Sequence, residues 1–564
     1  MQINFKEIIL CQSDKKNFEN LTSIGNNFYS NREAVNVDGL DIIFTGYLFN
    51  FKSIKEIKHT SVEEVVAEYY LNNREEELIE KLEGYYSVVV IEGSTITILM
   101  DKYGVESGYY VQNNFSCSFV FSTSLELLNN FFSLQFELEY LASFLIFPSM
   151  PFDFTLYKHV KSLRRGEHIY YNERVVIRKY NYLNSLLKGM NEMDGVPVTV
   201  TLSEIEKTLI ASLGNLREES KGFDLYNQLS GGVDSSFIQV LLNKIGERNS
   251  YCYNLKGYGR DKEYSEDIAR ILKCNHRVFD ISTEVLLNYN KDAISFLKLP
   301  QVAIGESMMN FSFHQLSEMK KPVISICGNG SDALFCHGRE LKILKAYDKK
   351  PHITKGLIKR LSPYSIKFKK VLPLIQNYSN LTTKDILEVF GNSKSIEFIE
   401  SRYLNLAAQR KSNSLYSFPG RLIDKRYLMR VFEGEVSEQN KIYYKMSKRK
   451  KVLIYFPMIK DDIVKLLMKV PIEKKLKYYR NKYLVKRYLK NKIPSKYINR
   501  KKIGKNTPWD KILSINNKND IILGIEGHLE KLVNIEELKG AYGHPGYEDV
   551  SLKAKNINTT IQYL

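Results

Sequence analysis

Residues 223–245, FDLYNQLSGGVDSSFIQVLLNKI, predict a strand, a tight turn and a helix in direct succession. A short apolar, partly alternating run ends at Leu229, and an apolar pattern of helical spacing begins at Phe237. Between them, Gly231 and Gly232 let the backbone approach a ligand without a Cβ atom in the way. The stretch therefore predicts a ligand-binding turn at the end of a strand.

The polar residues of this turn suit a polyphosphate. Ser230, Ser235 and Ser236 supply amides and hydroxyls at the positively polarised N-terminus of the helix. The turn lacks the Gly-x-x-x-x-Gly-Lys-Ser/Thr pattern, so it is not the P-loop of kinases and GTPases. Because Asp234 is acidic, the loop needs a cation before it can accept phosphate, and Mg²⁺ fits that need.

Residues 230–236, SGGVDSS, resemble the pyrophosphate loop of the ATP pyrophosphatases at every fixed position of that motif. The resemblance is to the asparagine synthetase branch, in which ATP is cleaved to AMP and pyrophosphate while a carboxylate is adenylated. It implies ATP and Mg²⁺ as cofactors. An ordinary strand-to-helix turn of a parallel sheet is the plain alternative.

A second turn, at residues 326–335 (ICGNGSDALF), has a similar construction. A strand is followed by Gly328 and Gly330, and Asp332 opens a helix, which brings one carboxylate close to a polyphosphate. The segment resembles a family motif whose Asp shares Mg²⁺ with the Asp of the pyrophosphate loop. The resemblance therefore implies a metal site formed by Asp234 and Asp332. For Asp332 taken alone, a helix-capping role is the alternative.

The resemblance also assigns an adenine site and a catalytic lysine. Leu229, Asn254 and Leu255 are expected near the adenine, which this fold reads largely through backbone atoms. Residues 500–504, RKKIG, match the family segment whose lysine reaches into the active site, and that lysine falls on Lys502. It would stabilise negative charge on the α-phosphate, the departing pyrophosphate or a tetrahedral intermediate. A solvated basic turn is the alternative for this segment.

Composition places the chain among ordinary globular proteins of two or three domains, with 564 residues, 43% hydrophobic and 26% charged. No apolar run is long enough for a membrane span and no secretory signal is evident, so a cytoplasmic location is expected. Six scattered cysteines without a Cys-x-x-Cys pair argue against zinc and disulfides. The net charge of +18 favours an anionic small molecule or peptide, or solubility alone, over nucleic acid.

The first 185 residues predict a β-rich sandwich with flanking helices. Strands are expected at 41–48, 85–91, 95–100 and 119–122, and helices at 62–71 and 138–145. This part resembles the glutamine amidotransferase domain of asparagine synthetases, which implies an αββα, Ntn-hydrolase-like sandwich. The matching segments, in family order, are residues 45–50 (TGYLFN), 82–87 (LEGYYS), 101–104 (DKYG), 121–124 (FSTS) and 163–166 (LRRG).

Four residues predict that this domain does not hydrolyse glutamine. The related glutaminases use a cysteine directly after the initiator Met, and Gln2 stands there. Cys11 cannot replace it, because Cys11 has no α-amine of its own to act as the base. Thr45 stands at the oxyanion-hole Asn, and Val62 at the Asp that binds the substrate amine. The expected role of the domain is that of a scaffold.

Residues 183–198 are expected to form a linker, after which strands and helices alternate. Strands at 223–229, 250–255, 276–281 and 322–327, with helices at 203–213, 237–245 and 262–272, predict a doubly wound parallel sheet. The resulting domains are residues 1–185 and an ATP-pyrophosphatase-type synthetase domain at residues 200–564, with a helical C-terminal part. Residues 455–459 and 481–487 match family landmarks, and 340–450 are expected to be helical and to determine specificity.

The sequence leaves open which amine attacks the adenylate, ammonia or an amino group of the substrate. Relatives with a silent glutaminase domain are β-lactam synthetases and lasso-peptide cyclases, which use an amine of the substrate. β-Lactam synthetases have Tyr and asparagine synthetases Glu where this chain has Asn329, and Lys460 stands where an Asp is usual. The leading hypothesis is an ATP-dependent ligase that closes a macrolactam of the lasso kind or forms another natural-product amide. Its substrate would be a small molecule or peptide with a carboxylate and an amine, with precursor peptide and leader-processing proteins as partners.

Two alternatives stay open at this point. An asparagine synthetase that uses free ammonia would retain the same ATP chemistry. A catalytically silent scaffold would not need residues 230–236, Asp332 and Lys502, all of which are present.

Overall fold

The structure is a computed structural model, and it describes most of the chain up to residue 500. The described residues are 1–12, 20–24, 28–54, 59–114, 117–146, 155–179, 186–258, 261–300, 304–338, 341–342, 344–345, 399, 401–416, 419–432 and 435–500. Lys502, the predicted catalytic residue, lies outside them, as does most of the segment 346–400.

Two antiparallel sheets form the N-terminal part of the chain. Their strands are β1 (Gln2–Asn4), β2 (Ile9–Gln12), β3 (Thr22–Ile24), β4 (Phe28–Ser30), β5 (Val35–Val37), β6 (Leu40–Leu48), β7 (Gly84–Glu92), β8 (Thr95–Met100), β9 (Tyr109–Asn114), β10 (Cys117–Ser122), β11 (Lys161–Ser162), β12 (Glu167–Asn172) and β13 (Arg174–Lys179). One sheet has the order β1-β6-β7-β8-β12-β13, with β5 on β6, and the other has the order β11-β9-β10-β2-β4-β3. All four strands predicted here are confirmed.

Alternation along β6 explains why the two sheets form a sandwich. Ile43 packs between the sheets in a core that includes Phe121, whereas Ile42 and Phe44 face the other way. That outer face is covered by helices, among which the predicted helix at 62–71 is confirmed with Val65 at its centre. The helices of this part are α1 (Phe51–Ile54), α2 (Val62–Leu71), α3 (Glu75–Lys81), α4 (Leu125–Phe131) and α5 (Leu138–Ile146).

A five-stranded parallel sheet organises the C-terminal part. Its strands are β14 (Asp224–Gln228), β15 (Asn249–Leu255), β16 (Asn275–Ile281), β17 (Val323–Ile326) and β18 (Leu453–Tyr455), in the order β16-β15-β14-β17-β18. The chain runs from β14 to one side for β15 and β16 and then returns to the other side for β17. The fold class predicted from the sequence, a β-rich sandwich followed by a parallel α/β sheet, is therefore confirmed.

Helices surround this sheet and build the C-terminal region. They are α6 (Val198–Glu219), α7 (Val233–Lys244), α8 (Asp261–Leu272), α9 (Thr283–Leu297), α10 (Ile304–Ser317), α11 (Ser331–Leu334), α12 (Ser401–Tyr416), α13 (Leu422–Phe432), α14 (Glu435–Arg449), α15 (Asp461–Lys469), α16 (Ile472–Lys475), α17 (Tyr483–Leu489) and α18 (Ser495–Ile498). Short 3₁₀ helices occur at Pro457–Ile459 and Lys477–Tyr479. Within the described residues, no helix combines the length and the apolar character that a membrane crossing needs.

The helix α6 is twice as long as the sequence indicated. It has 22 residues, and its buried side chains recur at helical spacing from Thr201 to Leu216. The last turns are polar apart from Leu216, so the apolar pattern fades before the helix ends. The prediction of residues 203–213 was therefore right in type and too short.

Two tyrosines of the sandwich form hydrogen bonds with the backbone at the β18 edge of the parallel sheet. The hydroxyl of Tyr47 donates to the carbonyl of Ile454 at 3.0 Å and accepts from the N–H of Ile454 at 3.1 Å. The hydroxyl of Tyr85 accepts from the N–H of Phe456 at 3.0 Å. Because Ile454 lies in the edge strand β18, its backbone groups would otherwise have no partner in the sheet on that side. The sandwich and the parallel sheet are thus joined by hydrogen bonds as well as by packing.

We expect Tyr47→Phe to lower the free energy of unfolding by roughly 2–4 kcal/mol, because two buried backbone groups lose their partner. Urea unfolding followed by circular dichroism measures the change. Tyr478→Phe is the matched control, since Tyr478 is 67% exposed and the same substitution removes a hydroxyl that faces water. A Tyr47→Phe variant as stable as Tyr478→Phe would contradict this account of the edge strand.

Candidate active site

The loops that follow β14 and β17 meet at the carboxyl edge of the parallel sheet. These two strands are neighbours, and the chain changes direction between them. In open α/β sheets this switch point is where ligands bind. The loop after β14 leads into α7 and carries Asp234, and the loop after β17 leads into α11 and carries Asp332. Both predicted acidic residues therefore lie at the expected place.

The first of these loops, residues 229–236, is called the phosphate loop here. Gly231 has φ +66°, and a Cβ atom on it would lie 2.6 Å from the Cβ atom of Tyr264, so helix α8 packs too closely for any side chain. The N–H of Ser230 donates to the hydroxyl of Ser235 at 3.2 Å, and that hydroxyl donates to the carbonyl of Gly232 at 3.2 Å. These bonds fold the predicted serines around one concave turn at the N-terminus of α7.

Two buried polar atoms beside this turn have no hydrogen-bond partner within the described part of the chain. They are the hydroxyl of Ser236 and the side-chain oxygen of Asn481. Buried polar atoms in proteins are normally hydrogen-bonded, and exceptions call for an explanation such as a ligand. Their neighbours in sequence are Ser235 of the phosphate loop and Lys482.

The carboxylates of Asp234 and Asp332 are held together by one ammonium group, that of Lys482. The Nζ atom of Lys482 contacts Oδ2 of Asp234 and Oδ1 of Asp332. The other oxygen of Asp234 accepts from the hydroxyl of Ser331 at 2.7 Å. Burial alone would lower the pKa of Lys482, but the two carboxylates outweigh it and raise that pKa. Both acidic side chains therefore lie within reach of a single cation.

The glycines of the second loop allow this approach. Gly330 has φ +95°, and a Cβ atom on it would come within 3.1 Å of the Cβ atom of Met458. A Cβ atom on Gly328 would lie 3.3 Å from Ile238 and 3.7 Å from the Cβ atom of Asp234. The loop after β17 is thereby pressed against α7 on one side and against the 3₁₀ helix Pro457–Ile459 on the other.

Further cations surround the lysine. Burial lowers the pKa of Lys486, and the charges of Lys342, Lys482 and Arg480 lower it further. Such mutual repulsion among cations is relieved by an anion. The surroundings of Lys482 are therefore electrostatically suited to a polyphosphate.

The predicted adenine residues lie at the ends of neighbouring strands. Leu229 is fully buried, and its N–H donates to the carbonyl of Tyr251 at 2.7 Å. Leu255 ends β15 and is buried, while the amide of Asn254 donates to Asp280 at 2.6 Å. The side chain of Asn254 is thus engaged by the protein, which leaves backbone atoms to contact a base at this edge.

Two residues that contact the site were not predicted for this role from the sequence. Lys482 belongs to the recognised landmark at 481–487, but Lys502 was assigned the cationic role. Asn440 accepts a hydrogen bond from the amide of Asn329 at 3.2 Å. Only Lys482 carried a sequence signal, namely its place in a family landmark.

Gln2, Val62 and Thr45, which the sequence resemblance aligns with glutaminase residues, have structural contacts of their own. Gln2 pairs with Leu48 in the sheet, and Val62 is buried at the start of α2. Thr45 is fully buried, and its hydroxyl accepts from the Nζ atom of Lys448 at 3.1 Å and donates to the carbonyl of Lys6. An apolar side chain and a hydroxyl bound to a lysine offer neither the substrate anchor nor the oxyanion donor of a glutaminase.

The described residues contain no cluster of three or more His, Cys, Asp or Glu side chains that would hold a metal by themselves. A pair of carboxylates is the arrangement that Mg²⁺ uses when phosphate oxygens and water complete its coordination. Asp234 and Asp332 fit that arrangement.

Comparisons with known proteins agree with this geometry. The asparagine synthase family model matches residues 227–520, and a glutamine amidotransferase domain model matches residues 28–182. The chain is 23% identical over 505 residues to a glutamine-hydrolysing asparagine synthetase of Bacillus subtilis, covering 82% of this chain and 75% of the relative.

Two solved structures also match parts of the chain. An NH₃-dependent NAD synthetase from Campylobacter jejuni matches with 15% identity and a TM-score of 0.22, covering 42% of this chain and 96% of that one. A glutamine phosphoribosylpyrophosphate amidotransferase from B. subtilis matches with 11% identity and a TM-score of 0.22, covering 49% and 85%. Since the asparagine synthase model spans more than half of the chain, the protein belongs to the asparagine synthase family of ATP-dependent amide-forming ligases.

Proposed function

We propose that the protein adenylates a substrate carboxylate with ATP and Mg²⁺, releases pyrophosphate, and joins the activated acyl group to an amine of its substrate. The observation that carries this proposal is the meeting of Asp234 and Asp332 on one cation beside the phosphate loop. Family membership supplies the ATP-dependent amide chemistry. The AMP-forming course and the nature of the amine are the proposal.

The chain's own groups have distinct roles in this scheme. Asp234 and Asp332 would hold Mg²⁺, which would neutralise phosphate charge. The N–H groups at the start of α7 and the hydroxyls of the phosphate loop bind and orient the polyphosphate. Lys482, once the metal neutralises the two carboxylates, is positioned to donate hydrogen bonds to phosphate oxygens and to stabilise the departing pyrophosphate. Lys502, proposed for a similar cationic role, lies outside the described residues.

The N-terminal sandwich supports a substrate amine over ammonia released from glutamine. Val62 and Thr45 lack the chemistry that binds glutamine and stabilises an oxyanion, and Thr45 is engaged with Lys448. An amine that belongs to the substrate removes the need for a glutaminase. We therefore propose a macrolactam closure of the lasso-peptide type, or another natural-product amide, with a precursor peptide as substrate and leader-processing proteins as partners.

Binding of ATP tests the metal site directly. With Mg²⁺ present, we expect the wild-type protein to bind ATP in isothermal titration calorimetry, and Asp234→Ala or Asp332→Ala to weaken binding at least tenfold, since each removes a metal ligand. Asp462→Asn is the matched control, because Asp462 lies exposed on α15. Equal ATP affinity in Asp234→Ala and the wild type would contradict the proposed metal site.

Lys482 should compete with metal for the two carboxylates when nucleotide is absent. We expect Lys482→Met to bind Mn²⁺ about tenfold or more tightly than the wild type, because a cation in contact with both carboxylates is removed. Electron paramagnetic resonance of free Mn²⁺ measures the affinity. Lys490→Met, which removes an exposed lysine just beyond α17, should leave it unchanged. Unchanged Mn²⁺ affinity in Lys482→Met would mean that the carboxylates do not form the ion site.

The source of the amine is tested by products. With glutamine alone we expect no release of glutamate. With ATP, Mg²⁺ and a candidate peptide that carries both groups, we expect AMP, pyrophosphate and a product lighter by one water in mass spectrometry. Ammonia-dependent conversion of a free carboxylate to its amide, with no reaction of any peptide amine, would instead identify an ammonia-using synthetase.

A further inference from the structure

Four charged side chains, three of them buried and one partly exposed, join the two halves of the molecule. Lys445 and Lys448 of helix α14 meet Glu7 and Glu106 of the N-terminal sandwich, and these four residues are called the interdomain ion cluster here. The Nζ atom of Lys448 lies 2.9 Å from Glu106 and 3.0 Å from Glu7, and that of Lys445 lies 3.1 Å from Glu7 and also contacts Glu106. The side chain of Glu106 is fully buried and that of Lys448 is 2% exposed.

The cluster holds its charges in place. Two ammonium groups face two carboxylates, so the formal charges balance. Burial would raise the pKa of Glu7, but the charges of Lys445 and Lys448 outweigh it and lower that pKa. Buried ion pairs often bring little net stability over an apolar packing of the same volume. In this protein the four charges connect helix α14 to the sandwich.

One face of α14 connects this cluster to the active site. Asn440, Tyr444 and Lys448 are spaced four residues apart and lie on the same side of the helix. Lys448 binds the cluster, and the hydroxyl of Tyr444 donates to Glu106 at 2.8 Å. Asn440 lies about 12 Å from Lys448 along the helix axis. Its side chain accepts a hydrogen bond from the amide of Asn329. All three helix residues are buried.

Asn329 lies in the loop that carries Asp332. It stands between Gly328 and Gly330, three residues before Asp332. Since Gly328 and Gly330 impose few backbone restrictions of their own, this loop depends on its contacts for its shape. The bond to Asn440 fixes the orientation of the Asn329 amide and so restrains the loop.

We propose that α14 is a positioning helix, through which the N-terminal sandwich holds the Asp332 loop in the geometry that binds Mg²⁺ and ATP. The inference rests on the proposed function for the use of that loop. According to this inference, the sandwich contributes to the ATP site through Glu7 and Glu106 while carrying out no chemistry. Asn440, Lys448 and Glu106 are positioning residues, because they act on the Asp332 loop through Asn329.

The test compares matched variants of the full-length chain. Asn440→Leu and Asn440→Asp have nearly the same size, but only Asp keeps an oxygen that accepts from Asn329. Lys448→Met combined with Glu106→Gln removes one charge of each sign, so that the Glu7–Lys445 pair stays balanced and folding is preserved. Arg449→Ala is the control on the same helix, because Arg449 is 57% exposed and pairs with Glu126 instead.

Hydrogen–deuterium exchange of the Asp332 loop is the first readout. The N–H groups of Leu334 and Phe335 are bonded to Gly330 and Ser331 at 3.0 Å and report on the loop. We expect exchange at these amides to be at least fivefold faster in Asn440→Leu and in the Lys448→Met/Glu106→Gln pair, and within twofold of wild type in Asn440→Asp and Arg449→Ala. Affinity for Mg²⁺ with a non-hydrolysable ATP analogue should fall in the same two variants and no others.

The outcomes separate this inference from the proposed function. If the wild-type protein does not bind the Mg²⁺–nucleotide analogue, the proposed function fails. If it binds, and the charge-neutralised pair exchanges and binds as wild type does, the positioning role of the cluster is overturned. If Asn440→Asp behaves as Asn440→Leu does, the hydrogen bond to Asn329 is not the link.

Discussion

The contact of one ammonium group with two carboxylates is the interaction on which the active site depends. Asp234 and Asp332 are 98 residues apart in sequence, and each ends up beside the other because β14 and β17 are neighbours in a parallel sheet. Two carboxylates this close repel each other unless a cation lies between them. Lys482 supplies that cation, and its buried ammonium is stable there only because both carboxylates are present. The pair and the lysine therefore stabilise one another.

This arrangement implies that Lys482 and a metal ion would neutralise the two carboxylates in turn. A metal ion bound with a triphosphate would be held by Asp234 and Asp332 and would neutralise the two carboxylates. The donors of Lys482 would then be available to phosphate oxygens. Lys482 would thus neutralise the two carboxylates before a ligand binds and would bind phosphate oxygens afterwards. A metal held in this way would need no third protein ligand, because phosphate oxygens and water would complete its coordination.

The sequence predicted what is encoded locally and missed what depends on distant partners. The phosphate loop, the Asp332 loop and the strands around them follow from glycines, apolar runs and motif order within about 20 residues. The three-residue strands β1, β3, β4, β5 and β18 are too short to show a period, and sheet pairing alone defines them. Lys482 lies 248 residues from Asp234 and Lys448 lies 403 from Thr45, so no local pattern could pair them. Residues 340–450 were expected to be helical, and their described stretches from residue 401 onward form α12, α13 and α14.

The same distant contacts give the N-terminal domain a structural role that is independent of any glutaminase chemistry. Thr45 stands where the family motif predicts an oxyanion donor, and its hydroxyl accepts from Lys448, which is bound to Glu7 and Glu106 as well. Replacing Thr45 by Asn would enlarge a fully buried side chain in contact with a balanced ion cluster, so a single substitution would strain the interface before it restored any catalytic group. Tyr47, two residues along β6 from Thr45, completes the backbone bonding of Ile454 on the edge of the parallel sheet. The strand β6 therefore completes the hydrogen bonding of the parallel sheet, a structural role that does not depend on glutaminase activity.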